Sequence, residues 1–146
     1  MAFVIDDSVD IDAPAEVVWK VLTDFAGYGE WNPFVRACHS TLEPGAAIDM
    51  RVRLVGSRPM NQREWVRTHT PGTEFSYSMK PVPLGALHSM RSHTLTPLAD
   101  GRCRYASHFE IGGWLQPVVA ATLGTALRRG FGGMTEAVKQ RAEQVS

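Results

Sequence analysis

Arg91 and His93 stand two positions apart in a stretch, residues 86–96, whose apolar and polar side chains alternate. On a strand that alternation places Leu87, Ser89, Arg91, His93 and Leu95 on one face, with His88, Met90, Ser92, Thr94 and Thr96 on the other. An inward arginine can hold a carboxylate or polarise a ketone through its fork of N–H donors, and a nearby histidine can move a proton near neutral pH. The same parity groups Tyr105, Ser107, Phe109 and Ile111 in residues 102–111, and Phe75, Tyr77 and Met79 in residues 74–79. If the three faces share one interior, its lining is aromatic and aliphatic, with Ser89, Arg91, His93, Tyr105 and Ser107 as polar points. Such a lining suits an amphipathic ligand with an apolar body and an oxygen-bearing end. Arg91, His93 and Tyr105 are the candidates for any catalysis. The competing arrangement leaves Arg91 and His93 at a wet rim, or pairs Arg91 with Asp7. Asp7 falls on the apolar face of the first segment and reads as a solvated strand-end residue.

Other chemistries lack their signatures. The five histidines, His39, His69, His88, His93 and His108, show no HxH or HExxH spacing, so no metal site is expected. No phosphate-binding loop, GxGxxG or GxSxG motif occurs, and no cofactor is expected. Lys plus Arg and Asp plus Glu number 15 each, a formal net charge of zero. That balance argues against recruitment by nucleic acid or an anionic membrane. Cys38 and Cys103 lack metal-ligand spacing and read as reduced thiols. With no secretory pattern in the opening residues, they point to a cytoplasmic protein, monomer or homodimer. The longest apolar run, residues 114–127, is interrupted by Gln116, Pro117, Thr122 and Thr125. It falls short of the roughly 20 residues a membrane span needs.

The elements that must position these residues follow from periodicity. Phe3, Ile5, Val9 and Ile11 alternate with Asp6, Ser8, Asp10 and Asp12, a half-buried strand. Pro14 suits a first helical position, and Val17, Val18, Val21, Leu22 and Phe25 form the apolar stripe of a short helix that ends at Gly27. Residues 28–33 read as a second short helix or turn. Six strands follow, over residues 34–41, 47–54, 60–68, 74–79, 86–96 and 102–111. Among the turn signals between them are Pro44-Gly45, Pro71-Gly72 and Asp100-Gly101. Residues 114–143 form a long helix with Ala120, Leu123, Gly124, Leu127, Phe131, Met134 and Val138 on one face. Leu123, Leu127 and Phe131 are the helix residues assigned to ligand contact. Gly124, Gly130, Gly132 and Gly133 mark a kink, or places where another backbone or a ligand approaches closely. One sheet face and one amphipathic helix that covers it make an α+β domain spanning residues 1–146.

The run Ile11-Asp-Ala-Pro-Ala-Glu-Val-Val-Trp19, then Leu22-Thr-Asp24, then Tyr28-Gly-Glu-Trp-Asn-Pro33 resembles the N-terminal signature of the SRPBCC (START/Bet v 1-like) superfamily, in its polyketide cyclase/dehydrase-like branch. Leu95-Thr-Pro-Leu-Ala-Asp-Gly101 and Phe109-Glu-Ile-Gly-Gly113 are similar to its last hairpin and closing strand. The resemblance implies a helix-grip fold: a seven-stranded antiparallel curved sheet wrapped around a long C-terminal helix, with two short helices after the first strand. It also implies a cavity for a lipid, polyketide or similar small hydrophobic ligand, with a cyclase, aromatase or dehydratase as the alternative use of that cavity. Where several such relatives carry a glutamate in the closing strand, this chain has Phe109, and the interior is more apolar there.

Overall fold

The alternating first segment forms β1 (Phe3–Ile11), with Ile5 and Ile11 buried and Val4, Asp6 and Ser8 exposed. The computed structural model describes residues 2–54, 56 and 58–146. After β1 come α1 (Ala15–Thr23), a 3-10 turn (Phe25–Gly27) and α2 (Tyr28–Trp31). Pro14 is the N-cap of α1 and not its first helical residue: its ψ is 152°, and its carbonyl accepts the N–H groups of Val17 and Val18. The helix stops at Thr23, short of Gly27, because Asp24 swings to a ψ of 71°. The strands are β2 (Val35–His39), β3 (Ala47–Val52), β4 (Met60–Thr70), β5 (Glu74–Ser78), β6 (His88–Pro97) and β7 (Cys103–Gly112), followed by α3 (Gln116–Val145).

The sheet order is β1-β7-β6-β5-β4-β3-β2 with every pair antiparallel, a meander whose last strand takes β1 as its neighbour. Short connections dictate this pairing. Asp100 and Gly101 both adopt positive φ, 63° and 71°, the backbone that their turn between β6 and β7 requires. Gly113, at φ 108°, passes so close to Ala86 that a Cβ there would lie 2.3 Å from its carbonyl oxygen.

The concave face of the sheet holds α3, which buries Gly124, Leu127, Phe131, Met134, Thr135, Val138 and Ala142. This is the helix-grip arrangement. The helix runs through its glycines as one element, and the glycine with a clear packing role is Gly130. A Cβ on it would meet the Phe34 ring at 2.3 Å, so an aromatic side chain, and neither a kink nor another backbone, accounts for it. α1 buries Val18, Val21 and Leu22 and packs on α3, β6 and β7, which closes one end of the interior. Cys38 on β2 and Cys103 on β7 are both free thiols, and burial pushes the Cys38 thiol up to about 12. No described helix is long and apolar enough to cross a membrane.

Candidate functional site: a half-open apolar cavity with a buried arginine

Inward side chains of the central strands form rows across the sheet. One row runs Ile5, Phe109, Arg91, Tyr77, Val66; the next, toward α1, runs Asp7, Ser107, His93, Phe75. Rows two residues apart along a strand are separated by about 6.7 Å. That step divides the interior. Beyond the Arg91 row, toward the first half of α3, is a cavity of about 180 Å³. Its walls include Tyr77, Met79, Ser89, Arg91, Phe109, Leu123, Leu127 and Phe131, eight of the residues assigned to the ligand from sequence. Met60 also lines it and is 55% exposed, so the cavity opens to solvent between the start of β4 and α3.

The other four assigned residues, Phe75, His93, Tyr105 and Ser107, lie behind that wall and do not line the cavity. α1 and the segment after it cover their row: Trp19 and Phe25 pack edge-on against Phe75 at centroid distances of 5.8 and 6.3 Å. His93 is sandwiched between Phe75 at 4.6 Å and Tyr105 at 5.9 Å. Its Nδ1 lies 2.6 Å from the Tyr105 hydroxyl and its Nε2 3.3 Å from the Tyr77 hydroxyl. Burial, with the Arg91 charge nearby, lowers its pKa well below the ordinary value, so the ring is neutral.

Arg91 is 3% exposed. One Nη donates to Ser107 Oγ; the other lies 3.7 Å from Met134 Sδ, and the guanidinium carbon sits 4.4 Å from the centroid of the Phe131 ring. Among the described residues no carboxylate oxygen comes within 4.0 Å of it, and its Nε has no partner. The pairing of Arg91 with Asp7 does not occur. Nor is Asp7 a solvated strand-end residue: it sits mid-strand opposite Ser107, with Oδ2 buried and unpartnered.

Glu64 and Gln62 on β4 also line the cavity, and neither was singled out from sequence. The signal was present: Met60, Gln62, Glu64 and Val66 share a parity, and Val66 is buried. Two polar residues in that alternation, Gln62 and Glu64, weaken the signal. Burial raises the Glu64 carboxyl above its usual range, opposed by a hydrogen bond from Gln62 Nε2 at 3.3 Å and by the charge of Arg91. The cavity is therefore apolar over most of its wall, with the Arg91 guanidinium on one side and the Glu64 carboxyl on another. Among the described residues no cluster of His, Cys, Asp or Glu suited to a metal ion occurs.

Solved structures of similar shape are numerous. The Zhui aromatase/cyclase from Streptomyces sp. R1128 superposes with a TM-score of 0.75 at 19% identity, covering 99% of this chain and 95% of that one. A START superfamily protein from Mycobacterium smegmatis gives 0.72 at 17% identity, covering 98% and 99%. Norcoclaurine synthase from Thalictrum flavum, in complex with dopamine and hydroxybenzaldehyde, gives 0.73 at 14% identity, covering 100% and 89%. At these identities the likeness is one of fold. No curated relative matches the sequence. The family model described as polyketide cyclase / dehydrase and lipid transport matches residues 2–143. With the helix-grip architecture in place, that match makes the chain a member of the polyketide cyclase/dehydrase and lipid transport family.

Proposed function

We propose that the protein binds a small apolar molecule, one aromatic ring or a short acyl chain in size, whose acidic oxygen meets Arg91. The observation that carries this reading is a buried guanidinium without a carboxylate partner in the wall of an apolar cavity. An unpaired charge held out of water is strongly unfavourable, and a ligand anion supplies the missing partner. The volume of about 180 Å³ is close to the roughly 150 Å³ of an engineered apolar cavity that takes up benzene. It favours one ring over a multi-ring polyketide. The single-ring molecules in the Thalictrum flavum complex agree in size.

The test is calorimetric binding of 3-phenylpropionate against 3-phenylpropanol. The acid is expected to bind at least tenfold more tightly, about 1.4 kcal/mol, and Arg91→Met to remove that preference. Equal affinities in the unmodified protein would contradict the anchor. Arg91→Met should unfold at an equal or higher temperature, because replacing an unpaired buried cation by an apolar side chain is neutral to stabilising.

A second reading, a cyclase- or dehydratase-type enzyme, is favoured by Glu64. A carboxyl whose pKa burial raises inside a cavity is a candidate general acid or base, while Arg91 stabilises an enolate oxygen. Under that reading Glu64→Gln lowers turnover and leaves the affinity for 3-phenylpropionate unchanged.

A further inference from the structure

Behind the cavity wall the side chains of Tyr105, His93 and Tyr77 make a continuous hydrogen-bonded chain, and one end of it, Tyr77, belongs to the wall. A neutral imidazole has one donor nitrogen and one acceptor nitrogen, so the chain runs one way or the other. Two features choose the direction.

The first is length. The contact at Nδ1 is 2.6 Å and the contact at Nε2 is 3.3 Å. Bonds donated by O–H are characteristically shorter than those donated by N–H. The short contact fits the Tyr105 hydroxyl donating to a bare Nδ1, and the long one fits Nε2–H donating to the Tyr77 oxygen.

The second is charge. Arg91 reaches Ser107, two residues from Tyr105 on the same face of β7, and the guanidinium stands close enough to the Tyr105 hydroxyl to favour its ionised form against burial. A donor-only cation attracts the phenol's lone pairs and turns its proton away, toward His93. Both features agree.

We propose that His93 is fixed as its Nε2–H tautomer in a one-way chain from Tyr105 through His93 to Tyr77, oriented by Arg91, which leaves the Tyr77 hydroxyl proton free for an acceptor oxygen in the cavity. The direction of the chain is a property of the protein alone; its consequence for ligands rests on the binding reading above. Among the described residues His93 is the one hydrogen-bond partner of the Tyr77 hydroxyl. Once His93 donates to it, the phenol proton has no protein acceptor. The cavity then carries two demands, an anion at Arg91 and a carbonyl or ether oxygen at Tyr77. His93 and Tyr105 are positioning residues, since neither touches the cavity.

The experiment has two arms. Long-range proton–nitrogen correlation spectra of the full chain report the tautomer of each of its five histidines, and the signals missing from His93→Gln identify His93. The expected result is protonated Nε2 and bare Nδ1, retained in Tyr77→Phe and shifted toward Nδ1–H in Tyr105→Phe. An Nδ1–H ring or an imidazolium at neutral pH in the unmodified protein overturns the proposal. The second arm compares acetophenone with ethylbenzene, which are nearly equal in size and carry no charge. Acetophenone should bind several-fold more tightly, with the advantage lost in Tyr77→Phe. If the advantage survives that substitution, Tyr77 is not the donor. If neither compound binds, the cavity reading fails, while the tautomer still decides the direction of the chain.

Discussion

At the scale of single residues, the interior joins two basic side chains in different settings. Arg91 stands in the cavity wall with its Nε unsatisfied, whereas His93, one row deeper, gives up its proton. His93 makes stability depend on pH in a defined direction. The unfolded chain protonates this ring near its ordinary value of about 6.5, and the folded chain does so well below that. Between the two values the unfolded state holds the extra proton. The contribution of His93 is therefore present above about pH 6.5 and lost as pH falls, at up to about 1.4 kcal/mol per pH unit. In urea unfolding, the stability gap between the unmodified protein and His93→Gln should narrow from about pH 7 to about pH 5. A constant gap would contradict a buried neutral ring. His108, whose pKa Asp6 and Glu110 together raise although burial opposes them, acts in the other direction and is common to both proteins. Strand parity made the inward direction of Arg91 and His93 legible. It carries no information on depth along the strand, which α1 decides, so it could not separate the cavity residue from the core residue behind it. Glu64 shares its parity with buried Val66 but also with the polar Gln62, so alternation alone gives its direction weakly.

At the scale of elements, α3 shows how a helix can carry glycines for different reasons. Gly130 admits the Phe34 ring, which also packs edge-on to Phe131 at 4.9 Å and lines the cavity. Gly132 faces open space, with nothing within 4 Å of where a methyl group would stand. Gly130→Ala should destabilise by about 1–3 kcal/mol through overpacking. Gly132→Ala should stabilise by about 0.5–1 kcal/mol, because the unfolded chain loses freedom and the helix gains a better former. Urea midpoints at constant slope measure both, and equal effects would contradict the assignment. The strands, the long helix and the Asp100-Gly101 turn could be read from alternation, stripe and turn chemistry. Boundaries were less legible where the backbone departs from the repeat. β5 stops at Ser78, one residue before Met79, and β4 carries an irregularity between Val66 and Thr68 that no pattern announces.

At the scale of the whole molecule, one sheet grips one helix and is filled unevenly. Half of the interior is closed by α1 and an aromatic cluster; the other half, under the first turns of α3, is open at Met60. The fold was recoverable because its elements are few and joined by short connections. The cavity was recoverable only as an implication of that fold, since packing of α1 against Phe75 sets where filled space ends. Methionine methyl groups report on the open half and on a position outside the interior. Met50, Met60 and Met79 line the cavity, Met134 touches Arg91, and Met90 belongs to the opposite face of β6. The decisive measurement is methyl NMR of the methionine-labelled protein titrated with 3-phenylpropionate. Saturable shifts at Met50, Met60, Met79 and Met134, with Met90 unmoved, are the expected result. Shifts absent from those four, or confined to Met90, would contradict a ligand held in the cavity against Arg91.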